Sequence, residues 1–209
     1  TNGKTTVAWA LSELLENTAY TGTLGCRINE NLIPLINTTP DALTLLSMMH
    51  KMVDSGIQRQ VMEVSSHALS QRRTAFIEFD MLVYTNIGAD HLDYHGSQEA
   101  YAEAKLTLLK QLRPGGHVII NLDDKASKTI LARCPVDANI ITYSLSHSDA
   151  TLLASNIEAS LQGSRFQLEK DGKSQIVTTP LPFHYNLENS LAVMGALYGI
   201  TGDIEASAN

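Results

Sequence analysis

The stretch HVIINLDDKASKTILARCPVDANIITY, residues 117–143, decides the fold class. His117 to Asn121 reads as a strand, Asp124 to Arg133 as a helix, and Ile140 to Tyr143 as a second strand. Upstream, Ser97 to Leu112 is a strongly periodic helix stopped by Pro114-Gly115-Gly116, and Phe79 to Ile87 is a strand ending near Asn86. Val61-Met62-Glu63 is a short buried strand that ends in an acid. Pro40 with Asp41 starts a helix whose apolar residues include Leu43, Leu46, Met49 and Val53, and Gly56 follows it. From Val7 to Glu16, residues Val7, Ala8, Leu11, Leu14 and Leu15 share one helical face. This alternation predicts an α/β fold: a mostly parallel sheet with helices on both faces, of the phosphate-loop type. Near Ala150 the pattern changes. Leu152 to Ala159, Ser164 to Leu168 and Ser174 to Thr179 read as three short strands joined by polar turns, one of them Asp171-Gly172. They predict a small antiparallel sheet, about residues 150–180, added to the main one. Asn186 to Tyr198 is a final helix, and Gly199 to Asn209 reads as a fraying end.

The 209 residues are 44% hydrophobic and 18% charged, which suits one large domain and excludes a disordered chain. No apolar run approaches the roughly 20 residues of a membrane helix, so a soluble protein without membrane insertion is expected. A net charge of −7, with 15 Lys and Arg, argues against a broad nucleic-acid footprint. Cys26 and Cys134 offer neither a disulfide framework nor a zinc spacing, which fits a reducing, cytoplasmic setting. The chain begins at Thr1 inside a motif and reads as a segment of a longer protein.

That motif, Thr1-Asn2-Gly3-Lys4-Thr5-Thr6 running into a helix, matches the second half of a phosphate-binding loop. Backbone amides at a helix N-terminus attract anionic oxygens, the lysine reaches terminal phosphates, and the following hydroxyl ligates magnesium. A glycine turn capping an ordinary helix would look the same. Glu63 ends a strand where open parallel sheets gather ligands, and can hold a metal or its water; it can equally be a solvated strand end. Ser65-Ser66-His67 after it could suggest a nucleophile and base, but adjacent residues cannot adopt triad geometry and no nucleophile elbow surrounds them. Asp90-His91-Leu92-Asp93-Tyr94-His95 packs ionisable groups after the strand ending at Asn86. Two histidines four apart could bind zinc on a helix, yet no thiolate or third histidine is near, so a hard metal with oxygen ligands fits better; a polar loop capping the next helix remains the alternative. Lys105 is the most informative single residue. At about 100° per residue it points into the apolar arc of its helix, between Leu109 and Leu112. Such a lysine either snorkels along its stem or has a depressed pKa and a dedicated partner.

In order, these motifs together with Asn37-Thr38-Thr39, Thr85-Asn86-Ile87 and Gly96 resemble the central ATP-binding domain of the Mur ligases from end to end of the chain. The likeness is strongest to the branch that adds the third residue of the peptidoglycan stem peptide. Sister enzymes, folylpolyglutamate synthase and cyanophycin synthetase among them, share the phosphate loop without combining Glu-Val-Ser-Ser-His with His-Leu-Asp-Tyr-His-Gly. The resemblance implies ATP- and Mg2+-dependent amide-bond formation on UDP-N-acetylmuramoyl-Ala-Glu through an acyl phosphate, with lysine or diaminopimelate as the incoming amine. It assigns Thr1, Asn2, Gly3, Lys4, Thr5, Thr6 and Asn86 to ATP, and Asn186 and Asn189 to the adenine, with His184-Tyr185 departing from the family's usual Phe-Asn spacing. Thr5 and Glu63 would serve one magnesium. His91 and Lys105, the latter as a carbamate, would serve a second, so that Lys4, His91 and Lys105 are the catalytic candidates. Asn37, Thr38, Thr39, Ser65, Gln71 and Arg73 match positions that contact the muramoyl-peptide nucleotide. The family also carries an N-terminal uridine-binding domain and a closing C-terminal domain, so residues 1–209 alone are expected to be inactive. A monomer is expected. Two rivals stay open here: another amide ligase of the family, and a nucleotide-binding module without chemistry.

Overall fold

In chain order the elements are α1 (Lys4–Leu14), β1 (Thr18–Gly22), β2 (Gly25–Ile28), β3 (Asn31–Ile33), α2 (Ala42–Asp54), β4 (Arg59–Met62), α3 (Ser66–Ser70), β5 (Phe79–Tyr84), α4 (Leu92–His95) and α5 (Gln98–Leu106). A 3-10 turn (Thr107–Gln111) leads to β6 (Leu112–Asn121), α6 (Ser127–Arg133), β7 (Asn139–Ser144), β8 (Leu152–Ser160), β9 (Gly163–Lys170), β10 (Lys173–Thr179), α7 (His184–Thr201) and α8 (Ile204–Ala208). The structure, a computed structural model, describes residues 2–88 and 92–208. The chain divides into two compact units, one of residues 4–78 and 89–111, the other of residues 1–3, 79–88 and 112–209.

The first unit is built on a four-stranded sheet of order β3-β2-β1-β4, in which β1 pairs parallel with β4 and antiparallel with β2. All five residues of β1 are buried, because each of its faces is covered by a helix. On the Tyr20 face, α1 brings Trp9 edge-on to the Tyr20 ring at 5.1 Å, and the Arg27 guanidinium lies 4.7 Å from the Trp9 centroid. On the other face, Ala19, Cys26 and Ile28 pack with Met48 and Met52 of α2. Asp41 caps α2 by accepting from the Leu43 and Thr44 amides, and these hydrogen bonds, with that from the Thr44 hydroxyl, hold its carboxyl below the usual range. Leu45, Met48 and Met52 form the packed face of α2, whereas Leu43, Leu46 and Val53 turn to solvent.

The second unit holds a six-stranded sheet of order β10-β9-β8-β7-β6-β5. β5 to β8 run parallel and β8 to β10 form an antiparallel meander. The expected antiparallel strands are thus added to the parallel sheet, as its continuation through β8. β8 makes this join with two residue pairs only, Tyr143↔Leu152 and Ser144↔Leu153, and its far half is largely exposed. The turn at Asp171-Gly172 has positive φ at both residues, the geometry a two-residue hairpin needs. α7 packs on β5, β6, β7 and β8 and is buried over nearly all of residues 186–196, so it shows no apolar stripe.

Three expectations change. The helix from Ser97 tightens into the 3-10 turn at Thr107, and β6 starts at Leu112, so Pro114-Gly115-Gly116 lies within a strand. Leu14, placed on the packed face of α1, is exposed. The end of the chain does not fray throughout: α8 buries Ile204 and Ser207.

Leu191, fully buried in α7, and Leu43, 80% exposed on α2, give a test of this packing. Leu191→Ala is expected to lower the unfolding free energy by about 2–5 kcal/mol, and Leu43→Ala to change it by no more than about 0.5 kcal/mol, measured by urea denaturation. Equal losses would mean that the two leucines do not differ in packing as described.

Candidate functional site

The first unit is organised around the Glu63 carboxylate, one residue beyond β4 and 3% exposed. A buried carboxylate must be hydrogen-bonded or paired, and here the donors come from three segments. Oε1 accepts from the Tyr20 hydroxyl at 2.5 Å and the Thr23 amide at 2.9 Å. Oε2 accepts from the Thr5 hydroxyl at 2.8 Å and the Thr23 hydroxyl at 3.3 Å. Burial, and then the hydrogen bond to Glu63, push the Tyr20 phenol well above its ordinary value, so it stays a donor at neutral pH. Residue 22 must be glycine for this arrangement: a Cβ there would lie 2.2 Å from Glu63 Oε1 and 2.3 Å from the Tyr20 hydroxyl oxygen.

From Glu63 a continuous strip of polar and aromatic groups runs through the same unit. Thr39, 1% exposed, donates to the Glu63 carbonyl at 2.8 Å and accepts from the Ser65 amide at 3.0 Å. Thr38 meets Thr23 through their hydroxyls at 3.1 Å. Ser65 caps α3 by accepting from the Ala68 amide. Arg73 donates to the Thr39 carbonyl at 2.6 Å and doubly to Gln71 Oε1, while Gln71 Nε2 donates to the Tyr94 hydroxyl at 3.3 Å. The His67 ring lies tilted against Tyr94 at 4.1 Å, and His95 joins Ser66 Oγ at 3.0 Å and the Tyr101 ring at 5.3 Å. The strip ends at Lys105 on α5, 9% exposed, with Nζ 4.9 Å from the Tyr101 centroid. The inward direction anticipated for Lys105 is thus its direction in the fold. Asn37 is exposed beside this strip's loop residues.

In the second unit, Asn2 and Gly3 are held from below. The Asn2 amide donates to Asn86 Oδ1 at 3.1 Å, and the Asn2 carbonyl accepts from Asn86 Nδ2 at 2.9 Å and from Thr85 Oγ1 at 3.0 Å. Gly3 has φ +88°, and a Cβ there would lie 2.1 Å from Asn189 Oδ1. Asn189 in turn donates to Asn186 Oδ1 at 3.2 Å, and Asn186 donates to the Pro182 carbonyl at 2.6 Å. The two asparagines, three apart on α7, form one hydrogen-bonded pair against the glycine of the loop. Next to them Glu188 accepts from Asn121 at 3.2 Å, with its carboxyl raised by burial and by the negative charge of Asp123.

Thr1 and His91, both singled out in the sequence, lie outside the described residues, as does Asp90. Lys4, Thr5 and Thr6 open α1. Sequence reasoning missed Tyr20, Thr23, Glu188 and Asn121. The first two belong to a strand and turn, Thr18 to Leu24, that carries no alternation to reveal it. Among the described residues, no group of three or more His, Cys, Asp or Glu side chains could hold a metal on its own.

A family model of the Mur ligase middle domain matches residues 1–197. The chain is 37% identical over 206 residues to the UDP-N-acetylmuramoyl-L-alanyl-D-glutamate–L-lysine ligase of Staphylococcus haemolyticus, covering 95% of this chain and 41% of the relative. It is also 37% identical to the corresponding 2,6-diaminopimelate ligase of Oceanobacillus iheyensis, covering 94% and 41%. A solved UDP-N-acetylmuramoyl-L-alanyl-D-glutamate–2,6-diaminopimelate ligase superimposes with a TM-score of 0.89 at 36% identity, over 100% of this chain and 43% of that one. MurF from Acinetobacter baumannii shares the fold, with a TM-score of 0.77 at 21% identity over 98% and 42%. The chain spans about two fifths of the length of the curated relatives it matches. With a phosphate-loop segment at its start, a buried acid beyond β4 and this match over residues 1–197, the chain belongs to the Mur ligase family and carries its middle domain.

Proposed function

We propose that the chain is the ATP-binding middle domain of a ligase that adds L-lysine or 2,6-diaminopimelate to UDP-N-acetylmuramoyl-Ala-Glu in peptidoglycan synthesis. The observation that carries this is 37% identity across some 95% of the chain to ligases named for those two additions. The whole enzyme would act as a monomer in the cytoplasm, with an N-terminal uridine-binding domain and a closing C-terminal domain; no helix among the described residues is long and apolar enough to cross a membrane.

In the reaction, an oxygen of the terminal glutamate carboxylate attacks the γ-phosphorus of ATP, the bridging P–O bond breaks and ADP leaves. The amine then attacks the acyl carbon, phosphate departs and the nitrogen loses a proton. Because charge gathers on phosphoryl oxygens, the protein's task is to position and to neutralise rather than to supply a nucleophile. Lys4 provides a fixed positive charge to the phosphates, and the amides at the start of α1 provide aligned donors. Asn86, Asn186 and Asn189 serve the nucleotide. Asn37, Thr38, Ser65, Gln71 and Arg73 face the muramoyl peptide, with the buried Thr39 bracing their loop.

The residues present fit a magnesium ion at Glu63. Thr5 Oγ1 and Glu63 Oε2 are hard oxygen donors 2.8 Å apart. One carboxylate and one hydroxyl are an incomplete set, which suits a cation that keeps water and takes its remaining ligands from phosphate. Magnesium bound there would neutralise charge on the transferring phosphoryl group. For a second magnesium, Lys105 would contribute as a carbamate, with His91. The lysine amine attacks carbon dioxide, the N–C bond forms and a proton is released, turning a buried cation into a carboxylate-like ligand.

Two sets of variants in the enzyme that contains this domain test these roles. Lys4→Ala is expected to lower kcat by at least about 100-fold. Arg73→Ala is expected to raise KM for the muramoyl nucleotide about 10- to 100-fold, with the ATP constant unchanged. Turnover of Lys4→Ala near the parent level, or an effect of Arg73→Ala confined to ATP, would reassign either residue. Lys105→Ala is expected to lose activity, to recover part of it with acetate, and to lose the carbamate carbon signal seen after labelling with 13C-bicarbonate. A signal that persists in Lys105→Ala would place the carbamate elsewhere.

A further inference from the structure

We propose that Tyr20 is a positioning residue for Glu63, fixing which carboxylate oxygen is presented to the metal; this rests on Glu63 being a magnesium ligand. A carboxylate offers about four lone-pair directions on two equivalent oxygens and can exchange them by rotating. Here the two oxygens are made unlike. Oε1 is occupied by the Tyr20 hydroxyl at 2.5 Å and the Thr23 amide at 2.9 Å, groups whose heavy atoms are fixed in place. The amide belongs to the backbone of the β1–β2 turn. The phenol is fully buried on β1, wedged by Trp9 at 5.1 Å, and its oxygen accepts from the Leu24 amide at 3.3 Å. Among the described residues, Oε2 meets the hydroxyls of Thr5 and Thr23, whose side chains can rotate to give up their place. Oε2 is therefore the oxygen left to a cation, and it lies on the Thr5 side, where the second donor stands.

Gly22 is part of the same device. Tyr20 and Glu63 approach through the space that a Cβ at residue 22 would fill, so the short contact exists only because that residue has none. The ring of Tyr20 has a packing role that phenylalanine would keep. Its hydroxyl has the orienting role, which phenylalanine would lose. Groups that orient metal ligands in this way typically change metal affinity or activity about 10- to 100-fold when removed.

The test is Mn2+ binding followed by electron paramagnetic resonance, with a non-hydrolysable ATP analogue present, in the parent, Tyr20→Phe and Glu63→Gln forms of the enzyme. Tyr20→Phe is expected to weaken Mn2+ at least about 10-fold and to raise the Mg2+ concentration for half-maximal turnover in parallel, with KM for the muramoyl nucleotide unchanged. Glu63→Gln is expected to weaken Mn2+ further. Parental Mn2+ affinity in Glu63→Gln would overturn the metal-ligand assignment itself. Loss of Mn2+ in Glu63→Gln with parental affinity in Tyr20→Phe would leave that assignment standing and overturn the role of Tyr20. Should Tyr20→Phe fail to fold, enzyme labelled with 13Cζ-tyrosine decides. The Tyr20 resonance is expected to shift when Mg2+ and the analogue are added to the parent and not to Glu63→Gln, and an unmoved parental resonance would overturn the proposal.

Discussion

A single buried carboxylate organises the first unit. Glu63 follows a strand whose partner, β1, is covered on both faces, and burying an ionised carboxylate is costly unless every oxygen is engaged. The donors arrive from the start of α1, from β1 and from the β1–β2 turn, so closing the hydrogen-bond shell also fixes the relative position of those three segments. The Glu63 backbone is fixed as well, its amide bonded to the Thr21 carbonyl and its carbonyl to Thr39. Removing this acid would leave a buried phenol, a backbone amide and two hydroxyls without their acceptor, so the residue carries structure besides the chemistry proposed for it.

Much of this was legible in the sequence, for physical reasons that differ by element. β6, α6 and β7 announce themselves because a parallel strand buried on both faces is a continuous apolar run, and its crossover helix must be bounded by polar turns. Lys105 was legible as a buried lysine, although α5 ends at Leu106, so that Leu109 lies in the 3-10 turn and Leu112 in β6 rather than with it on one helical arc. β1 was not. Thr18-Ala19-Tyr20-Thr21-Gly22 is buried on both faces yet has neither an apolar run nor alternation, since Tyr20, Thr21 and Thr18 serve hydrogen bonds with Glu63, Gln60 and the Glu16 carbonyl rather than packing alone. The outward turn of Leu43, Leu46 and Val53 was also hidden: α2 carries apolar residues on more than one face, and periodicity cannot say which face meets the sheet.

The asparagines of α7 show the same limit at the candidate site. Asn186 and Asn189 are visible as a pair three apart, but not what they meet. In the fold, Asn189 lies where a side chain on residue 3 would be, so a motif glycine and a helix asparagine 186 positions later form one contact. The positive φ of Gly3 and the missing Cβ are both required there. A Gly-Lys-Thr-Thr run in an ordinary helix cap would need only the first of these.

The distribution of charge also bears on the magnesium site proposed at Glu63. Among the described residues no cluster of acids or histidines could hold a cation unaided, and a site with several carboxylates would bind magnesium strongly while repelling a nucleotide's phosphates. At the magnesium proposed for Glu63 and the Thr5 hydroxyl, the protein would supply one negative charge, and the nucleotide would bring the rest. Under that proposal metal and ATP would bind as one unit, each weak without the other. A carboxylate in that role would have to be held rigidly, because among the described residues no group of acids stands ready to take its place if it rotates. A sparse site would thus demand a dense hydrogen-bond shell, and Tyr20, Thr23 and Gly22 provide one around Glu63.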